Sequence, residues 1–183
     1  MTRLADTGYG LMARLLHWVM AALILCLLGL GIYMANFEKD GISRITLTQT
    51  HKSFGFVAFC LAVLRVIWRQ VSPPPPLPDA MPPWQVKAAH LSHAALYVLM
   101  IALPLTGWLM ATSSPLPLPN RVFDLFDLPD FFTDGSERVS GVFRSLHFTC
   151  ALALIGLLAA HVVAALKHQF VDRDGLLMRM IRG

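Results

Sequence analysis

The chain has 183 residues, of which 56% are apolar and 14% charged, and its mean hydropathy is +0.59. That balance excludes a water-soluble globular domain and points to an integral membrane protein. The net charge of +4 does not call for a nucleic-acid partner, because most Lys and Arg residues flank apolar stretches, where they suit membrane topology and anionic headgroups or carboxylates.

Four apolar stretches, residues 15–35, 50–68, 90–112 and 146–170, each have about the 20 residues a membrane-spanning helix needs. Helix is the default for all four, since a span in lipid must satisfy its backbone internally. The first stretch is too long for a signal-peptide core and no A-x-A site follows it, so it reads as a span. Cys26, Cys60 and Cys150 all lie in apolar stretches and form neither C-x-x-C nor C-x-x-C-H, which excludes covalent haem attachment.

The second stretch is closed by Arg69 and the run Pro73-Pro74-Pro75-Pro76, so the link to the third is extended and stiff. It ends at Pro82-Pro83-Trp84-Gln85, a candidate start for a surface helix. Pro104 is expected to kink the third span. Residues 113–145, with Asp124, Asp127, Asp130, Asp134 and Glu137 among Phe and Pro, are expected to form a folded cap over one face. The chain therefore reads as one membrane domain, residues 1–183: an all-α, up-and-down bundle of four transmembrane helices.

Orientation follows from Lys and Arg. One side carries nine (Arg3, Arg14, Arg65, Arg69, Lys87, Lys167, Arg173, Arg179, Arg182) and the other six (Lys39, Arg44, Lys52, Arg121, Arg138, Arg144), which places both termini in the cytoplasm.

His147 and His161 stand fourteen residues apart in the last span. At about 100° and 1.5 Å per residue they share one helix face, roughly 21 Å apart along its axis. Up–down topology then pairs His51 with His147 at the outer level and His17 with His161 at the inner level. A bis-imidazole haem needs two nitrogens on opposite faces of the porphyrin, presented by two helices at one height. Two matched pairs therefore suit two haems b, with His17, His51, His147 and His161 as ligands to haem iron. His90 and His93 open the third span. Either could replace His17 opposite His161, contact a quinone or lie at the interface; His168 is a solvated helix-end residue. Gly55 and Gly156 suit a helix face against a flat macrocycle. Arg14, Lys52 and Arg144 flank the histidines as candidate propionate contacts.

These features resemble the bacterial cytochrome b-561 family of four-helix, di-haem, quinone-linked membrane cytochromes. The matching residues are Leu16-His17-Trp18, Thr50-His51-Lys52, Ala89-His90-Leu91-Ser92-His93, Ile101-Ala102-Leu103-Pro104 and Leu176-Leu177-Met178-Arg179-Met180. The resemblance covers nearly the whole chain. It implies two b haems, the bacterial inner membrane and electron exchange with ubiquinone. In the similar haem subunits of formate dehydrogenases and nickel–iron hydrogenases, spans one and four hold the inner haem and two and four the outer. One member type oxidises superoxide. Here the outer segments carry six basic and seven acidic residues, so guidance of such an anion would rest on a local patch at Lys52, Arg138 and Arg144.

The leading expectation is a di-haem cytochrome carrying electrons from an outer donor, superoxide or a redox partner protein, to quinone. His90, His93, Trp68 and Arg69 are its candidate quinone contacts. A haem-bearing anchor subunit for a separate dehydrogenase and a histidine-liganded metal-ion transporter are the rivals. The chain has neither a Gly-rich nucleotide loop nor a Cys cluster for iron–sulfur.

Overall fold

The computed structural model describes residues 8–37, 41–116 and 118–183. Arg3, Glu38, Lys39 and Asp40, counted in the charge balance above, lie outside the described residues. Four long helices are apolar enough to cross a membrane: α1 (Leu11–Asn36), α2 (Gly41–Val71), α3 (Pro83–Thr112) and α4 (Glu137–Lys167). The chain ends in a π-helical turn (His168–Asp172) and a short α5 (Leu176–Ile181). Each long helix outruns its apolar stretch. α2 gains about two and a half turns ahead of its stretch, and α4 is capped by Ser136, whose hydroxyl accepts the Val139 N–H at 3.5 Å.

Consecutive spans run in opposite directions, so the two ends of the chain meet. Arg14 donates to the Ile181 carbonyl at 3.1 Å, the Trp18 indole N–H to Met180 at 3.0 Å, and the Tyr9 N–H to Arg179 at 3.4 Å. The polyproline link crosses this same end without regular structure and is tied by Arg179 to the Pro76 carbonyl at 2.9 Å. The sequence suggested a surface helix at Pro82-Pro83; instead Pro83 is the first residue of α3 itself. Proline at N1 gives up no helical hydrogen bond, so the spanning helix simply begins there. α3 continues through Pro104 as one helix.

At the opposite end, β1 (Arg121–Val122) and β2 (Phe126–Asp127) form a small antiparallel hairpin. Its turn sets Phe123 (φ 47°) and Asp124 (φ 58°) in the left-handed region, a costly conformation for both. The hairpin is held in place by α2. Buried Ser53 donates to the Arg121 carbonyl at 3.4 Å and accepts the Phe123 N–H at 3.0 Å. Gln49 and Lys52 both donate to the Pro119 carbonyl at 2.9 Å. Gln49, Lys52 and Ser53 share one helix face by their i, i+3, i+4 spacing.

The packed centre is a layer of Met20, Ile24, Ala62, Leu96 and Leu154, one or two from each long helix. Leu154 lies seven residues from both His147 and His161, so it falls on the same face midway between them. α4 packs closely on α3, as α1 does on α2 and α2 on α3. The backbones of α1 and α4, and of α2 and α4, stand further apart.

Candidate functional site

The histidines bridge those two wider gaps. His51 of α2 faces His147 of α4 with ring centroids 6.4 Å apart, planes inclined at 77°. His17 of α1 faces His161 of α4, also at 6.4 Å, inclined at 58°. A metal–imidazole bond of about 2 Å on each side, plus about 1.2 Å from each ring centre to its nitrogen, separates two trans imidazole centroids by about 6.4 Å. Each pair would thus have room to hold one iron between its imidazoles.

Side-chain surroundings differ at the four histidines. His147 Nδ1 lies 3.0 Å from the Leu103 carbonyl and 3.3 Å from the Thr106 hydroxyl. A carbonyl only accepts, so Nδ1 carries the proton and Nε2 keeps the lone pair a metal needs. Gly107 makes room for this ring: a Cβ there would come within 3.1 Å of His147 Cε1. At His51 the Nδ1 atom is buried without a partner among the described residues, and a Cβ on Gly31 would sit 3.5 Å from the ring. Gly55 and Gly156 would meet nothing within 4 Å, so the helix surface is open there. Closely placed ring pairs, an exposed lone pair on His147 and open gaps between the bearing helices together fit haem b.

The inner level holds a third imidazole. His93 lies 5.5 Å from His161, whereas His90, three residues earlier, is exposed. Trp18 stands edge-on to His17 at 5.0 Å. Arg65 reaches His17 Nδ1 at 2.9 Å, and both Arg65 and Arg69 lie 5.6 Å from the centre of the Tyr97 ring. The Trp68 indole N–H is buried without a partner among the described residues. At the mouth of this region burial raises the Tyr9 phenol above its ordinary range, with Arg69, Tyr97 and Arg65 as charged or titratable neighbours.

Two of the three cations expected as propionate contacts also donate to backbone carbonyls. Arg14 is bound to Ile181 and Lys52 to Pro119, both through backbone carbonyls, and Arg144 is exposed. His168 is not merely solvated: its Nδ1 lies 2.6 Å from Asp174 and 3.1 Å from Asp172. Sequence reasoning passed over Arg65, Tyr97, Thr106 and Gly107. Arg65 could have been found, because an arginine well inside an apolar stretch marks function by default. Thr106 and Gly107 carried no such signal, since small residues are common in packed spans.

The comparisons with known proteins agree on kind. The family model for prokaryotic cytochrome b561 matches residues 8–183. The chain belongs to that family. It is 34% identical over 174 residues to cytochrome b561 homolog 2 of Escherichia coli (strain K12), covering 94% of this chain and 90% of the relative. Cytochrome b561 homolog 1 of the same organism is 31% identical over 167 residues, covering 91% and 92%. A protein of Yersinia pestis named probable superoxide oxidase CybB is 25% identical over 180 residues, covering 91% of each. This cytochrome b561 is thus a multi-pass bacterial membrane protein of a haem b family.

Proposed function

We propose that this chain is a di-haem cytochrome that takes electrons from superoxide at its outer face and delivers them to ubiquinone near its cytoplasmic face, with both termini in the cytoplasm of a bacterial inner membrane. The observation that carries the reading is the pair of facing imidazoles at equal 6.4 Å separation, at two depths. When bound, two haems b supply one-electron carriers at those depths.

His51 and His147 hold the outer iron, His17 and His161 the inner. The Leu103 carbonyl fixes the His147 tautomer and ring plane, which strengthens it as a ligand. The central layer around Leu154, 1% exposed, keeps water from the space between the levels. At the hairpin end, Gln49, Lys52 and Ser53 clamp the loop against α2 beside His51, which favours a small donor over a docking protein. Exposed Arg138 and Arg144 lie on the first turns of α4 and supply local positive charge for an anion. At the other end, the unpartnered Trp68 N–H can donate to a quinone carbonyl, with His93 and Arg69 nearby on the same side. Either His90 or His93 can pass the protons that quinone reduction consumes.

Purified protein answers the proposal with a pyridine haemochrome assay, an α-band characteristic of b-type haem, and rapid mixing with superoxide in the presence of a soluble quinone. Two haems per chain, reduction of the haems by superoxide and onward reduction of quinone are expected. His51→Ala and His147→Ala should each lose the same single haem, and His17→Ala and His161→Ala the other. His147→Ala with both haems retained would refute the ligand assignment. A colourless preparation would refute the whole reading. Co-purification with a dehydrogenase, and no reaction with superoxide alone, would replace the donor.

A further inference from the structure

The Arg65–His17 contact holds a contradiction whose resolution identifies a binding site. An arginine side chain can only donate, so at 2.9 Å His17 Nδ1 must accept, and the single imidazole proton lies on Nε2. In that state neither nitrogen of His17 has a free lone pair. Ligation at Nε2 moves the proton to Nδ1 and sets two donors against each other; ligation at Nδ1 takes the lone pair directly. As long as the ligated ring is neutral, the guanidinium has to leave either way.

Where it goes follows from its surroundings. Arg65 and Arg69 are one turn apart on α2, both half-buried, and both lie against the ring of Tyr97. Among the described residues neither forms an ion pair; the acidic partners go to Arg121, Lys167 and His168. Two unpaired guanidinium groups inside a spanning segment require an anion. Resting on the ligand reading above, we propose that Arg65 is a two-position residue. It holds His17 while the inner site is empty. On loading it turns with Arg69 to clamp the propionate carboxylates of the inner haem, so the inner haem is the more readily reduced of the two. Fork-shaped, permanently charged guanidinium groups suit carboxylates, and Arg14, the cation that sequence position suggests, already donates to the Ile181 carbonyl.

The test uses a His51→Ala background, which leaves the inner haem as the only one, so that its midpoint is read without overlap. Arg65→Met should lower the inner midpoint by about 59 mV, equivalent to a tenfold change in the one-electron equilibrium, and speed loss of that haem about tenfold. Arg65→Lys should restore most of both. Titrations are run in nanodiscs of purely zwitterionic lipid and of anionic lipid. Equal shifts in both are expected, because the partner travels with the haem. A shift confined to anionic lipid would assign the clamp to a lipid headgroup and overturn the proposal. An unchanged midpoint would overturn it too. A raised midpoint would mean that Arg65 stays on His17 and stabilises its doubly deprotonated form. If the His51→Ala protein does not retain one haem, the ligand reading itself fails, and this inference with it.

Discussion

Replacing Gly107 with alanine puts a methyl group where there is almost room for it. The new carbon would lie 3.1 Å from His147 Cε1 and 3.2 Å from Nδ1, against about 3.5–4.0 Å for relaxed carbon contacts. The ring must give by roughly half an ångström, away from α3 and therefore away from the Leu103 carbonyl. The 3.0 Å hydrogen bond then stretches to about 3.5 Å and loses most of its strength. Losing an outer hydrogen bond to a metal-ligating histidine typically costs 10- to 100-fold in affinity, or about 1.4–2.8 kcal/mol. The control is Gly31→Ala, whose methyl would stand at 3.5 Å from His51, an ordinary contact. Both changes replace a helical glycine and gain the same helix propensity, about 1 kcal/mol, so their difference isolates the steric effect. The assay is transfer of haem to an excess of a haem-scavenging protein, followed by absorbance. Gly107→Ala should release one haem about 10- to 100-fold faster, with the other unaffected, and Gly31→Ala should fall within about twofold of the parent. Equal rates for the two variants, or release of the inner haem by Gly107→Ala, would refute the argument that α3 holds His147 in register.

Leu154→Ala truncates a fully buried large side chain of the central layer (1% exposed) and should destabilise the bundle by about 2–4 kcal/mol, measured by unfolding in mixed detergent micelles; a loss below about 0.5 kcal/mol would mean that the layer collapses to fill the gap. Ser53→Ala strands the Phe123 N–H and should make residues 121–127 the first site of limited proteolysis while haem content stays unchanged. Ser136→Ala removes the α4 cap and should cost about 0.5–2 kcal/mol, read in the same unfolding assay, with the midpoints of both haems unmoved. His90→Ala should leave both haems in place, since His90 is exposed, whereas His93→Ala should alter the inner spectrum through the imidazole 5.5 Å away.

Much of this protein was readable from the chain alone. Four stretches of about 20 apolar residues must be helices because lipid offers the backbone no other partner. A fourteen-residue spacing on one helix forces His147 and His161 onto one face. Up–down threading then brings His51 and His17 to the two matching heights. These are one-dimensional constraints, period and length, and they survive without knowledge of which helix packs on which. What the sequence left open depends on lateral packing. It did not separate His93 from His90, because residues three apart lie on nearly the same helix face and only the lateral packing of α3 decides which of the two turns inward. It placed Arg14 and Lys52 near anions by position along the chain, and gave no sign that each also donates to a backbone carbonyl far away in sequence. Arg65 on His17, Gly107 beneath His147 and the Ser53 staple each join residues forty or more positions apart. Hydrogen bonds and van der Waals contacts act over a few ångströms, so only the rotation and approach of the helices decide them.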